Sequence, residues 1–344
     1  MTISYEVTIG SQTYANTGAG SQRQPVLGID SEIAVGGSVG VCLLEFGDIT
    51  WANPGIGDPV QVTLDVGDGA SPVFSGEVAQ VRQRPGAHWV WAHDSMALLA
   101  RIEVESAYEE VSAGFIVSDL IDQAGAEAGE IEDGPTFPSY VVHRGPRALR
   151  HALRLGELVG AELASDGEGK VHFRRPTSGA AAHRLVWAED LIEIDLGPHA
   201  PARDSFAVFG EGAAGTEGAE RGHWLPTDLS GVSGEAAANP GGDPDQTGRV
   251  AAGSTGSLVR TVIDGALRAA EDAADVASAR AQLLALRPLS GHAVGLGNPA
   301  IQPGDWVELA GLPGSDGERT VTLRALRVIH RLSNQGGLLT RMEF

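Results

Sequence analysis

Apolar side chains recur at every second position through the first hundred residues of the chain. Tyr5, Val7 and Ile9 alternate with polar neighbours, and Val60, Val62, Leu64 and Val66 do so again after Gly57-Asp58-Pro59. A period of two places alternate side chains on one face of an extended strand, so these segments predict half-buried β-strands. Further strands are predicted at Ile33-Ala34-Val35, at 39–46 beyond Gly36-Gly37-Ser38, at 73–82 and at Trp89-Val90-Trp91-Ala92-His93. Turn residues separate them, including Gly67-Asp68-Gly69, where Asp-Gly favours hairpin geometry. Many short strands at this spacing predict a β-barrel or sandwich over residues 1–105.

The period then changes. Residues 106–180 read as a small α/β insert. One helix is expected from Ser118, taken as its N-cap, to Gly129. A second is expected from Arg147 to Gly160, with Leu149, Leu153 and Leu155-Gly156 on its apolar face and Ala152 and Val159 beside them. A hairpin around Asp166-Gly167 follows. Residues 181–210 return to strands (Leu185-Val186-Trp187, 191–196 and 206–210) and read as the start of a second β-barrel module. Residues 211–257 are rich in Gly, Ala and Ser with few large apolar positions, which predicts a mobile loop. In 258–287, Val259, Val262-Ile263, Leu267, Ala270 and Ala274 recur at helical spacing, predicting one long helix ended by Pro288. Residues 288–344 complete the second module as a β-meander.

That meander repeats an earlier pattern. Gly304-Asp305-Trp306-Val307 echoes Gly57-Asp58-Pro59-Val60, and Asp316-Gly317 echoes Asp68-Gly69 at nearly the same offset. The returning strands end near Val81 and near Ile329. Two copies of one β module give this order, and so do two unrelated hairpins. The expected fold is therefore mainly β with an α/β insert: two tube-like β-barrel modules, a small α/β domain and one long helix.

Composition narrows the function. The 344 residues carry 24 Lys and Arg against 45 Asp and Glu, a formal net charge of −21. Clustered cations are what neutralise phosphates, so this balance argues against nucleic-acid binding and against docking on anionic lipid. No apolar run reaches the length of a membrane span, and residues 1–6 lack a basic-then-apolar secretory pattern, so neither a membrane anchor nor a signal peptide is expected. Cys42, the single cysteine, lies in the apolar run Val41-Cys42-Leu43-Leu44 and reads as a buried thiol. The ten histidines are scattered. His88 and His93, five apart on a strand, point to opposite faces and cannot share a metal. His143 and His151 straddle Pro146. His330 reads as a hydrogen-bonded, half-buried histidine. Glu109-Glu110, Glu130 with Glu132-Asp133, and Glu189-Asp190 are acidic pairs of the kind glycosidases use, but few aromatics accompany them to line a sugar cleft. Trp89, Trp91 and Trp187 on strands read as packing residues. No catalytic, cofactor or metal site emerges. Gly57, Asp58, Gly304, Asp305, Trp306, His330 and Phe344 remain as structural or interface candidates.

The order of these elements resembles the baseplate hub family of contractile phage tails and related injection systems, which includes late control protein D and the N-terminal hub region of VgrG. The resemblance is carried by Val117-Ser118-Asp119-Leu120-Ile121 with Ala124-Gly125, by 147–163, by the hairpin 167–176 and by the strand Phe206-Ala207-Val208-Phe209-Gly210. Gly297-Asn298-Pro299, Pro303-Gly304-Asp305, Val328-Ile329-His330-Arg331 and 336–344 complete it. Arg147 and Leu153 stand where the family's second insert helix has an Asp and an aromatic residue. The resemblance implies a non-enzymatic homotrimer, each chain supplying two tube-like β-barrels, so that three chains present a pseudo-six-fold ring. Such a ring joins a hexameric tail tube, or its initiator, to a trimeric spike. The chain stops at Phe344, so the spike is expected as a separate protein. Other baseplate proteins are further expected partners. The expected location is the cytoplasm on synthesis and then the baseplate of the particle. A tail-associated cell-wall hydrolase and a carbohydrate-binding tail-tip protein are the alternatives.

Overall fold

The computed structural model describes residues 3–17, 26–47, 53–198, 205–210, 233–237, 259–287, 289–314 and 317–344. The first alternating segments form strands β1 (Ser4–Ile9), β2 (Gln12–Ala15), β3 (Val26–Ala34), β4 (Val41–Phe46), β5 (Pro59–Asp65), β6 (Ser71–Arg84) and β7 (Ala87–Asp94). They pair antiparallel in the order β3-β4-β7-β6-β5-β1-β2. The side chains at the predicted period point inward: Tyr5, Val7, Ile9, Val60, Val62 and Leu64 join Ile29, Leu44, Phe46, Phe74 and Val90 in one core. Cys42 is fully buried there, and burial beside Asp30 pushes its thiol far above the ordinary range. The β5–β6 turn is held by Asp65, whose carboxylate accepts from the N–H groups of Gly67 and Gly69 at 2.7 and 3.2 Å.

A helix the sequence pattern did not suggest, α1 (Met96–Arg101), follows β7. Then come β8 (Ser106–Ser112), α2 (Ala113–Gln123), β9 (Ala128–Ile131), β10 (Thr136–Val142), α3 (Ala148–Val159), β11 (Glu162–Ser165) and β12 (Val171–Arg174). The α2 helix starts five residues before the expected Ser118. Ser112 caps it, its hydroxyl accepting from the Phe115 N–H at 3.1 Å. Gly114 reads locally as a helix breaker, yet it is required: a Cβ there would lie 2.2 Å from the Glu132 carbonyl. The α3 helix runs as predicted and ends at Gly160 in the left-handed conformation (φ 73°). Its buried face is rotated from the expected one. Ala148, Ala152, Leu155 and Val159 are buried, while Leu149 and Leu153 are only partly so.

Beyond β13 (His183–Val186) and β14 (Leu191–Pro198), the strands β15 (Ser205–Phe209), β16 (Ser233–Ala237) and β17 (Val259–Ile263) form a small sheet in the order β16-β15-β17. The helix α4 (Ala270–Ala285) covers it. The long helix expected over 258–287 is therefore shorter by its first turns. Val259, Thr261, Val262 and Ile263 are β-branched, stiff at χ1, and fit a sheet better than a helix. Phe206 and Val208, expected in the second barrel, instead belong to the core that holds Leu267, Val276, Ala277, Phe173 and the buried faces of α2 and α3. Ser233–Ala237 is a strand within the stretch read as a loop; most of 211–257 lies outside the described residues.

The chain closes with β18 (Leu289–Leu296), β19 (Trp306–Gly314), β20 (Gly317–Arg324), β21 (Arg327–Ser333) and β22 (Gly337–Glu343). Val307, Leu309, Val321, Leu323, Val328 and Met342 form a third core. The mainly β class expected from the sequence is the one the structure has. Strands of both β modules join in one curled eleven-stranded sheet, β14-β18-β22-β21-β3-β4-β7-β6-β5-β1-β2, while β19 and β20 form a separate three-stranded sheet with β13. The α/β unit packs on it through close backbone contact: a Cβ on Gly167 would lie 2.1 Å from the Pro72 carbonyl. Gly167→Ala is expected to destabilise the protein by about 1–3 kcal/mol through overpacking at this contact. Urea titration followed by tryptophan fluorescence measures it; an unchanged midpoint would show that the contact gives way freely.

Candidate functional site

The two Gly-Asp turns predicted as an echo have the same backbone geometry. Gly57 and Gly304 both take positive φ, 88° and 99°. Gly57 donates its N–H to the Val78 carbonyl at 2.8 Å, and Gly304 donates to Ala325 at 2.7 Å. Val78 and Ala325 in turn donate to the carbonyls of Asp58 and Asp305 at 2.9 and 2.8 Å. Each aspartate closes its own turn: Asp58 accepts from the Gly55 N–H and Asp305 from the Gln302 N–H, both at 2.8 Å. Glycine is required for the left-handed position, and a carboxylate for the side-chain turn.

From these turns the equivalence extends strand by strand. The ladder β6–β7 pairs Val81 with Val90, and β21–β22 pairs Val328 with Met342. The ladders β7–β4 and β22–β18 continue it, as do β4–β3 and β18–β14. One bulge matches as well: β3 shifts register between Val26 and Gly28, β14 between Leu191 and Glu193, whereas the shift in β6–β7 between Val78 and Gln80 has no counterpart in β21–β22. Thus β3-β4-β5-β6-β7 correspond in order to β14-β18-β19-β20/β21-β22. The segment β15–α4 is inserted in the second copy between the partners of β3 and β4.

The copies differ in surroundings. At the second turn Gln302 stands where the first has Gly55. Its side chain donates to the Pro72 carbonyl and accepts from the Gly167 N–H, both at 3.2 Å, tying the second copy to the first and to the α/β unit. Asp305 also meets His183 at 3.1 Å. Trp306 donates its indole N–H to the Thr177 carbonyl at 3.0 Å. Arg324 donates to the Gly304 carbonyl and forms a buried ion pair with Glu162 at 2.6 Å, while Arg287 reaches the same carboxylate at 2.8 Å. Pro303 is buried, whereas its counterpart Ile56 is 69% exposed. Gly57 and Asp58 therefore face outward, and Gly304, Asp305 and Trp306 form an internal junction.

His330 is wholly buried rather than half-buried. Its Nε2 faces the Ile301 carbonyl at 3.2 Å, so it carries the proton, and its Nδ1 faces the Thr340 hydroxyl at 3.0 Å. Burial holds the imidazole down at about 4. Phe344 packs in the third core and donates its N–H to Gly291 at 3.0 Å. Asp94 gave no signal in the sequence. It is buried, caps Met96 at 3.1 Å and accepts from Ser165, joining β7 to α1 and to the α/β hairpin; burial raises its carboxyl. Trp89 and Trp91 are half-buried on β7 and carry the guanidinium groups of Arg84 and Arg82 on their faces at 4.1 and 5.0 Å. The His143 and His151 rings meet edge to face at 5.2 Å. Among the described residues, no group of three or more His, Cys, Asp or Glu is placed to hold a metal, and no helix is long and apolar enough to cross a membrane.

Comparison with solved structures identifies a class of fold. The 43 kDa tail protein of prophage MuSo2 from Shewanella oneidensis superposes with a TM-score of 0.67 at 14% identity, covering 99% of this chain and 98% of that one. A tail protein from Neisseria meningitidis MC58 gives 0.65 at 11% identity, covering 99% and 95%. The E. coli c3393 protein, a type VI secretion component similar to the T4 tail proteins gp27 and gp5, gives 0.55 at 12% identity, covering 98% and 75%. The chain has the fold of these tail proteins from end to end. No protein-family model and no curated protein sequence matches it.

Two outcomes are expected. Asp305→Ala should cost more stability than Asp58→Ala, about 2 against about 1 kcal/mol, because only Asp305 also serves His183. Equal losses in urea titration would contradict this. For His330 the folded pKa lies below the unfolded value, so the folded state binds fewer protons. Its contribution is present above about pH 6.5 and is lost as pH falls towards 4, by about 3 kcal/mol. Stability-versus-pH curves of the wild type and His330→Asn should diverge across that window; parallel curves would rule the effect out.

Proposed function

We propose that this chain is a structural component of a phage tail or injection apparatus, and within it the hub that joins a hexameric tail tube to a trimeric spike. The observation that carries this reading is the internal repeat. Two copies of one module, with matched turns and ladders, contribute neighbouring strands to one sheet, the second copy keeping β19 and β20 in a small sheet of their own, so three chains would present six similar units. Such a homotrimer matches six-fold on one side and three-fold on the other. The end-to-end likeness to tail proteins supports the same reading. The hub works by assembly, without making or breaking covalent bonds. Its partners are a tube or tube-initiator protein, a spike protein and further baseplate proteins, and it resides in the finished particle. The two modules form the ring, and the α/β unit packs against them.

The test is genetic and compositional. Mass spectrometry of purified particles from the encoding organism should find the chain at half the copy number of one tube ring. Deleting its gene should abolish assembled tails. Full-length, infective or injection-competent particles without it would overturn the proposal.

A further inference from the structure

Inside the chain the two module copies meet through one ladder, in which β21 of the second copy pairs antiparallel with β3 of the first. Arg331 stands opposite Asp30 there and donates to it through Nε and Nη2 at 2.8 and 2.5 Å. The counterpart of β21 in the first copy is the far half of β6, and the counterpart of β3 in the second copy is β14. Both are open. Beyond Val78, β6 pairs only with β7, and beyond Leu191, which bridges to Trp187, β14 pairs only with β18, among the described residues. A chain of two copies joined by one head-to-tail contact thus leaves the same contact unmade at each end. A heterologous contact of this kind closes into a ring or runs on as a filament.

The side chains at the open edges are complementary. The ladder equivalences place Arg84 at the position of Arg331, and Asp195 at the position of Asp30, each aspartate following an isoleucine (Ile194, Ile29). Arg82 and Arg84 make the β6 edge basic on its outer face; Glu193 and Asp195 make the β14 edge acidic. Both Arg84 and Asp195 are exposed. Charges also serve merely to keep edge strands apart. Here, however, opposite signs occupy the two positions that already form an ion pair within the chain. Ile56 is exposed as well, whereas its counterpart Pro303 is buried.

We infer that β14 of one protomer pairs antiparallel with residues 81–84 of β6 in the next protomer, in the register that sets Arg84 opposite Asp195. The occupant of each open edge is a second copy of this chain. The inference rests on the ring assembly proposed above and specifies its contact. Gln83 then faces Leu196, and Arg82 faces Gly197, and Pro198, which has no N–H to give, ends the ladder.

Charge reversal tests it. The full-length chain should sediment as a closed oligomer. Arg84→Glu or Asp195→Lys should each weaken assembly roughly tenfold or more, and the double variant should restore it. Opposed residues of an antiparallel pair have Cα atoms about 4.5–5.5 Å apart, within disulfide reach. Mixing Arg84→Cys and Asp195→Cys chains should therefore give a disulfide-linked dimer that neither forms alone, Cys42 being buried. A chain that stays monomeric at all concentrations, or an oligomer that tolerates both reversals and yields no mixed disulfide, would overturn the contact. The tail role is read separately from particle composition: particles that contain the chain while the reversals have no effect leave that role standing, and the contact forming in a chain absent from particles does the opposite.

Discussion

The ladder between β21 and β3 is what the rest of the molecule depends on. Without it the chain would be two half-sheets, each with a bare edge of unpaired N–H and C=O groups. With it, a strand near one end of the sequence and a strand near the other form the middle of one sheet. Loop-closure entropy rises only slowly with loop length, so long insertions between the copies are tolerated. That is why an α/β unit can be built from segments on either side of β13 and β14 without disturbing the repeat.

The matched turns show how one device serves two settings. A positive-φ glycine and a carboxylate that closes its own turn fix the start of β5 and of β19 in the same way. The difference comes one turn of chain earlier, where Gly55 is replaced by Gln302 and Ile56 by Pro303. The glutamine amide has both a donor and an acceptor to give, and it uses them on Pro72 and Gly167. Around it, Glu162 is neutralised by Arg324 and Arg287. Removing one partner from such a buried pair leaves a charge without compensation, a loss of about 3–5 kcal/mol. This polar cluster holds three separate apolar cores in a fixed relation, which apolar packing alone, being non-directional, does not specify.

The buried polar groups Asp94, His330 and Glu162 each make contacts between elements. The acidic surface and the outward-facing first turn leave the specific features of the molecule on its sheet edges.

Much of this was legible in the sequence, because strands and turns are local. Alternation at Tyr5-Val7-Ile9 and at Val60-Val62-Leu64 determined which faces are buried, and Gly-Asp pairs determined two turns that only glycine can make. Gly160 likewise marked the end of α3. What the tertiary structure decided is what depends on partners distant in the chain. Gly114 sits inside a helix because the Glu132 backbone passes against it, and the helix begins at Ala113, capped by Ser112. Val259–Ile263 pairs with Ser205–Phe209 as a strand, although its apolar spacing also fits a helix. Phe206 and Val208 leave the β module for the α/β core, and Gln302, Asp94 and Glu162 become junction residues, since nothing in their neighbours' identity shows what they face. The echo of the two Gly-Asp turns was legible in the sequence, which left two unrelated hairpins open as its source. The union of the two modules through Arg331 and Asp30, three hundred residues apart along the chain, was decided by the folded sheet, where strand pairing sets contacts that local propensity does not encode.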